Sequence, residues 1–248
     1  MRVRRALLAL AGAAVLATST TVLLPATAQA RIMAVACDET SLITAVNAAN
    51  AAGGGTVTLT PGCTYTLTAA HGNDGVNGPT GLPIITTPIT FEGNANTITR
   101  AGATNFRIAQ VSTTGGLTLK AVTLSGGHAA TNGGGILNFG AVTLTGSELS
   151  NNAADGTGGG IHSTGGAAAA TFTSSNVTNN TAHQAAGIAS DSATLTLTSS
   201  VVSGNAAGTN PGGIYYVAGT ATLNTSSVTA NTPTNCTGSS SPVPRCIG

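Results

Sequence analysis

Tryptophan is missing from this 248-residue chain, and only three tyrosines and four phenylalanines supply its large rings. Charge is nearly as scarce, at 6% of residues. A nucleic-acid surface needs a basic patch and aromatic stacking groups, so that class of partner is excluded. Low charge can mark a membrane span. Here the apolar residues beyond position 30 are scattered singly among Thr, Ser, Asn and Gly, and no window approaches the roughly 20 apolar residues of a spanning helix. Low charge with few aromatics also suits disorder. Against that, Val, Ile, Leu and Thr alternate regularly, and alternation buries one face of a strand. Several catalytic signatures are absent too: G-x-S-x-G, the Walker loop, H-E-x-x-H and C-x-x-C. The glycine runs precede strands and not helices, which excludes a dinucleotide fingerprint, and they lack the Asp of a Ca²⁺-binding nonapeptide repeat.

What is present begins with export. Arg2, Arg4 and Arg5 form a positive start, Ala6 to Ala17 is an unbroken run of apolar and small residues, and Ala28-Gln29-Ala30 is a small-x-small cleavage site. Residues 1–30 read as a secretory signal. The formal net charge of +1 then falls to about −2, five basic against seven acidic residues. Ala34-Val35-Ala36-Cys37 loosely resembles a lipoprotein box, but Ala28–Ala30 is better placed behind the apolar run. The expected location is extracellular or at the cell surface, without a transmembrane span in the mature chain. Export favours oxidised cysteines. Four cysteines allow three pairings, and a solenoid holds its two ends far apart, so Cys37–Cys63 and Cys236–Cys246 are the expected bridges. No His stands at ligand spacing from either pair, so no metal site is expected there.

The solenoid itself is read from repetition. Small-residue runs lead into one isoleucine four times, at Ile136, Ile161, Ile188 and Ile214, spaced 25, 27 and 26 residues apart. A period in that range marks stacked coils, each covering the apolar face of the next. Laid in register, the first strand of each coil contains Ile84, Ile108, Ile136, Ile161, Ile188 or Ile214. The second contains Phe91, Leu119, Leu144, Phe172, Leu197 or Leu223, and the third Ile98, Leu124, Leu149, Val177, Val202 or Val228. Three short strands per coil describe an all-β fold, a right-handed single-stranded parallel β-helix. Asn152, Asn180, Asn205 and Asn231 recur three residues beyond the third-strand position and read as a structural ladder at the turn. Ala129, Ala154, Ala182 and Ala207 follow two residues later, small enough for a tight corner.

Both ends need covers. Residues 38–52 read as an amphipathic helix with Asp38 at the N-cap, Glu39 in the first turn, and Leu42, Ala45, Val46 and Ala49 on one face. At the other end, Pro233, Pro242 and Pro244 cannot donate to a strand ladder. The expected organisation is a signal at 1–30, a capping-helix segment at 31–55, a parallel β-helix at 56–231 and a disulfide-closed cap at 232–248.

With Cys37 followed by Ala45-Val46-Asn47-Ala48-Ala49-Asn50, with Pro61-Gly62-Cys63-Thr64-Tyr65, Phe106-Arg107-Ile108, the Gly-Gly-Gly-Ile repeats, and Asn235-Cys236 with Cys246, the chain resembles a known group. These are the secreted bacterial right-handed parallel β-helix proteins of the pectate-lyase-like superfamily, especially those with polymorphic-outer-membrane-protein-like repeats. The Phe-x-x-Asn half of that outer-membrane repeat is absent, and no autotransporter barrel follows in this sequence. The resemblance implies lyases and hydrolases of acidic polysaccharides among the relatives, with clustered carboxylates for Ca²⁺ or paired carboxylates flanking the scissile bond.

This chain offers few such groups: Glu92, Glu148, Asp155 and Asp191 are the carboxylates of the repeats, and Arg100, Arg107 and Lys120 their cations. Asp155 and His183 both stand six residues past a third-strand position, so stacking is expected to bring a carboxylate beside an imidazole as a candidate general base. Their alternative is a surface ion pair. Leu137, His162, Ala189 and Tyr215 follow the isoleucines and are expected to face outward. His162 and Tyr215, with Asp191, are the candidate ligand-binding residues. His71 and His128 fall in loops with no partner visible in sequence. Two readings follow. One is a monomeric, non-catalytic surface, adhesion or glycan-binding module without a cofactor. The other is a polysaccharide lyase or hydrolase, for which alone Ca²⁺ is implied.

Overall fold

The structure is a computed structural model that describes residues 34–209 and 211–248. The expected signal segment lies outside the described residues. Parallel strands stack into a β-solenoid of about five turns with one short helix near its N-terminal end. Every apolar residue expected in the second strands pairs with its successor, from Phe91↔Leu119 to Leu197↔Leu223. The third-strand residues do the same from Ile98↔Leu124 to Val202↔Val228. These side chains fill the interior and are almost fully buried. Parallel pairing between coils satisfies the backbone groups that so narrow a core would otherwise strand.

The first strands show one register error. Ile136, Ile161, Ile188 and Ile214 stack as expected. In the earlier coils, however, Ala109 and not Ile108 pairs with Ile136, and Ile85 and not Ile84 bridges to Val111. Side chains alternate with a period of two, so this single-residue slip puts Ile85 in the core and leaves Ile84 half-buried. Ile108 is also buried, in the approach to the strand. A second difference lies beyond the Asn ladder. The small-residue corner is a fourth strand, His128–Ala129, Ala153–Thr157, Thr181–Gln184 and Ala206–Thr209 in successive coils. The alanines pair in one column, because small side chains let the chain extend where it had been expected to turn sharply.

Two ladders hold the corners. Asn152 Nδ2 donates to Asn180 Oδ1 at 3.1 Å, Asn180 to Asn205 at 2.9 Å, and Asn205 to Asn231 at 2.8 Å. Each Nδ2 also reaches a carbonyl of an earlier coil: Leu124, Leu149 or Val177. The residue before each Asn takes a positive φ, as at Asn151, Asn179, Gly204 and Ala230. Asn and Gly suit that conformation at little cost. The other ladder was not anticipated. Ser147, Ser175, Ser200 and Ser226 each accept a backbone N–H from the preceding coil and donate to the carbonyl two residues back. Its sequence signal is a serine two residues before every third-strand apolar position from Leu149 onward.

The helix Glu39–Ala51 covers the first coil with Leu42, Val46 and Ala49, and Asp38 Oδ1 accepts the Ser41 N–H at 2.8 Å as its cap. Cys37–Cys63 ties this lid to the strand region, and Cys236–Cys246 closes the other end. There the chain folds over the last coil. Ile214 N donates to Asn235 O at 2.8 Å, and Asn235 Oδ1 accepts from Asn231 Nδ2 at 3.0 Å, continuing the Asn ladder from outside the repeats. Outside, the second strands present threonine at the same position coil after coil.

Candidate functional site

Asp155 finds an imidazole, but it is His128 and not His183. Asp155 Oδ1 lies 2.9 Å from His128 Nε2, with the carboxylate side chain 60% exposed and the imidazole 29%. The pairing explains the choice. Ala153 is opposite His128, so Asp155, two residues on and on the same outer face, is its diagonal neighbour. On the other side, Ala154 is opposite Ala182, but a bulge then places Thr157 opposite Gln184. The extra residue carries Asp155 out of step with His183. His183 is exposed, and its carbonyl accepts from Thr209 Oγ1 at 3.0 Å. The sequence signal for His128 was available: it immediately precedes Ala129, the first member of the alanine column.

The column expected to face outward from the first strands is largely covered. Leu137 and Ala189 are each only 2% exposed, and His162 and Tyr215 are half-buried. The glycine-run turn curls back over this sheet. A Cβ on Gly158 would stand 2.4 Å from the Ile161 carbonyl and 2.8 Å from His162 Cβ, and Gly133 lies equally close over Ile136. Only glycine permits that approach, and its positive φ of 70° at Gly158 disfavours a side chain as well. His162 Nδ1 hydrogen-bonds Thr157 Oγ1. Burial pushes the imidazole below its ordinary value, while the Asp191 carboxylate and the Thr157 backbone pull it the other way. Asp191 pairs with Thr164, two residues along from His162. Tyr215 stands two coils from His162, and its hydroxyl is 2.8 Å from Ser240 Oγ of the C-terminal segment. These contacts split His162 with Asp191 from Tyr215.

Most of the other ionisable groups hold local structure. Arg107 is 1% exposed and donates to the carbonyls of Gly78 and Asn77, to Thr131 Oγ1 and to Gln110 Oε1. Burial pushes its guanidinium down to about 10, with Asp74 pulling it up. Burial raises the Asp74 carboxyl, but hydrogen bonds from Asn77, Val76 and Gln110 outweigh it and hold the group below the usual carboxylate range. Glu39 accepts from Thr68 Oγ1 at 2.6 Å and Thr68 N at 2.9 Å, and stands 2.8 Å from His71 Nε2. Glu92 pairs with Lys120 at 2.6 Å, and Glu148 accepts from Thr178 Oγ1 at 2.7 Å. Among the described residues no group of three His, Cys, Asp or Glu side chains could hold a metal ion.

An uncharged open groove of about 380 Å³ runs along the start of the second strands. Pro88, Gly116 and Ala141, opposite one another in successive coils, line it beside Thr90, Thr118 and Thr143. A scan against family models, a search of curated proteins and a search of solved structures each found no match. Two disulfides fit an extracellular protein, and no helix among the described residues is long and apolar enough to cross a membrane.

Proposed function

We propose that the chain is a secreted, monomeric, non-catalytic β-helix of the bacterial cell surface, related in fold to the pectate-lyase-like proteins, and that it binds a neutral glycan. The groove over Pro88, Gly116 and Ala141 carries this reading. It offers small apolar surfaces for sugar C–H groups and threonine hydroxyls for sugar hydroxyls, and none of its lining residues is charged. An acidic polysaccharide calls for cations there. The distribution of carboxylates supports the same reading. Glu39, Asp74, Glu92 and Glu148 are engaged in local contacts. Asp155 and Asp191 stand on different sheets. Glycoside hydrolysis by two carboxylates needs both at one bond.

The alternative is a lyase or hydrolase, with Ca²⁺ if a lyase, and the contact between His128 and Asp155 favours it, since a carboxylate beside an imidazole makes a general base. One pair of measurements decides. Neutral and acidic glycans are screened for binding, and acidic polysaccharides are incubated with and without Ca²⁺ while unsaturated and reducing ends are followed. We expect neutral-glycan binding that Ala141→Lys weakens about tenfold by filling the groove, and no release of ends. Turnover abolished by Asp155→Ala or His128→Ala overturns the proposal, as does glycan binding indifferent to Ala141→Lys.

A further inference from the structure

The outer face of the second strands carries one residue type at one position through seven stacked strands. Thr56, Thr90, Thr118, Thr143, Thr171, Thr196 and Thr222 are Cα partners in unbroken register. Two residues along the strand, Thr145, Thr173 and Thr198 form a second column through three coils. Two residues back, Thr194 and Thr220 begin a third. The backbone ladder sets the repeat at about 4.8 Å along the solenoid axis, and alternate residues repeat at about 6.7 Å along each strand. Threonine is stiff at χ1, so each site offers a methyl and a hydroxyl on a branched Cβ held by the sheet. The hydroxyls of the seven-member column have no hydrogen-bond partner within the protein among the described residues. Ser147, Ser175, Ser200 and Ser226 on the adjoining corner all turn theirs to the backbone.

Charge narrows the ligand. The three complete rows, Thr143 with Thr145, Thr171 with Thr173 and Thr196 with Thr198, contain no ionisable group. The only charges interrupting the second column, Glu92 and Lys120, neutralise each other at 2.6 Å. Shape narrows it further. Thr171 and Thr196 stand outside the groove described above, so a small solute gains few contacts at them. A single hydroxyl contact contributes about 1 kcal/mol. Such contacts become useful when a rigid partner makes many at once, without ordering a flexible chain. The matching partner is neutral, rigid, periodic in two dimensions and made of hydrogen-bond donors and acceptors. The rows contain no aromatic ring on which a sugar sheet could stack, whereas methyl groups at fixed spacing order water between bonding hydroxyls.

We propose that the threonine array binds the surface of ice. This goes beyond the glycan reading and does not depend on it. The purified protein is tested by cryomicroscopy for shaping of growing ice crystals and for inhibition of recrystallisation. Thr171→Lys places a long charged side chain at the middle of the array, and Asn176→Lys places the same side chain on the exposed face of the third strand in the same coil. Far-UV circular dichroism and the thermal midpoint establish that both variants fold. We expect the protein to shape ice, Asn176→Lys to match it, and Thr171→Lys to need about tenfold or more protein for the same inhibition. Absence of ice shaping by the unsubstituted protein overturns the inference, as do equal losses in the two variants. Retention on crystalline cellulose or chitin without activity on ice reassigns the array to a polysaccharide surface and also overturns it. The assays separate the two proposals: neutral-glycan binding without ice shaping by the unsubstituted protein leaves the glycan reading standing alone, and ice shaping without glycan binding leaves this inference standing alone.

Discussion

The early coils and the middle coils solve the same problem by opposite means. Between Leu149 and Val228 the corners on either side of the third strand are held by residues whose equivalents in neighbouring coils hold theirs, Asn upon Asn and Ser upon Ser. Around Arg107 nothing repeats. One buried guanidinium gathers the carbonyls of Asn77 and Gly78, the hydroxyl of Thr131 and the amide of Gln110, and so fastens the 72–80 hairpin against the coil below. A ladder spreads the cost of losing one member over its neighbours. A hub concentrates it.

Removing the hub is therefore the severest test of the contrast. Arg107→Ala removes the donors to Gly78 O and Gln110 Oε1 and one of the two donors to Asn77 O, and it empties the space of a fully buried side chain, so we expect about 4 kcal/mol of destabilisation in urea. Arg107→Lys recovers only part, because an ammonium cannot fork toward several acceptors at once. A loss below about 1 kcal/mol shows that the hub is dispensable and that the N-terminal coil rests on the helix lid instead. Breaking the ladder comes next. Asn180→Ala removes the acceptor for Asn152 N and Nδ2 and the donor to Leu149 O. About 2–3 kcal/mol is expected. Faster amide exchange is expected at Asn152 and Asn180, whose N–H groups bond to this ladder, and at few other sites. Exchange that accelerates uniformly through all coils contradicts a ladder of local bonds.

The same contrast decides what could be read in advance. Strands whose residues recur were legible: the second- and third-strand columns pair as the spacing predicts, because similar side chains stack only in one register. The first strand of the early coils was misread by one residue. Ile84-Ile85 and Ile108-Ala109 each offer two apolar neighbours, so alternation cannot choose between them. The Ser ladder escaped notice because serine is frequent throughout the chain. The candidate site was less legible still. Asp155 was expected beside the imidazole of His183, and its actual partner, His128, depends on a bulge that no spacing reveals. Likewise, the covering of Leu137 and His162 follows from turn glycines folding back, a tertiary fact hidden in an ordinary-looking run.

The gentlest test uses acid, because the two regions differ in what can titrate. The Asn ladder contains no ionisable group. The helix lid is fastened by Glu39, where burial raises the carboxyl but bonds from Thr68, His71 and Ala69 outweigh it and bring it from 4.5 down to about 2. A depressed carboxyl stabilises the fold above its unfolded value and ceases to do so as pH falls through its folded value. The contribution of Glu39 is thus complete above pH 4.5 and fades between 4.5 and about 2. Asp38 and Asp74, also depressed, add to the acid loss, so the informative quantity is the difference between the native chain and Glu39→Gln. We expect the variant to start less stable at neutral pH and to converge on the native chain as pH drops. Relative to the intrinsic rate at each pH, amides of Glu39–Ala51 should lose protection in acid while those of the Asn ladder keep theirs. Parallel acid curves for the two proteins mean that Glu39 does not fasten the lid, and that Cys37–Cys63, the Asp38 cap and the buried face of the helix hold it instead.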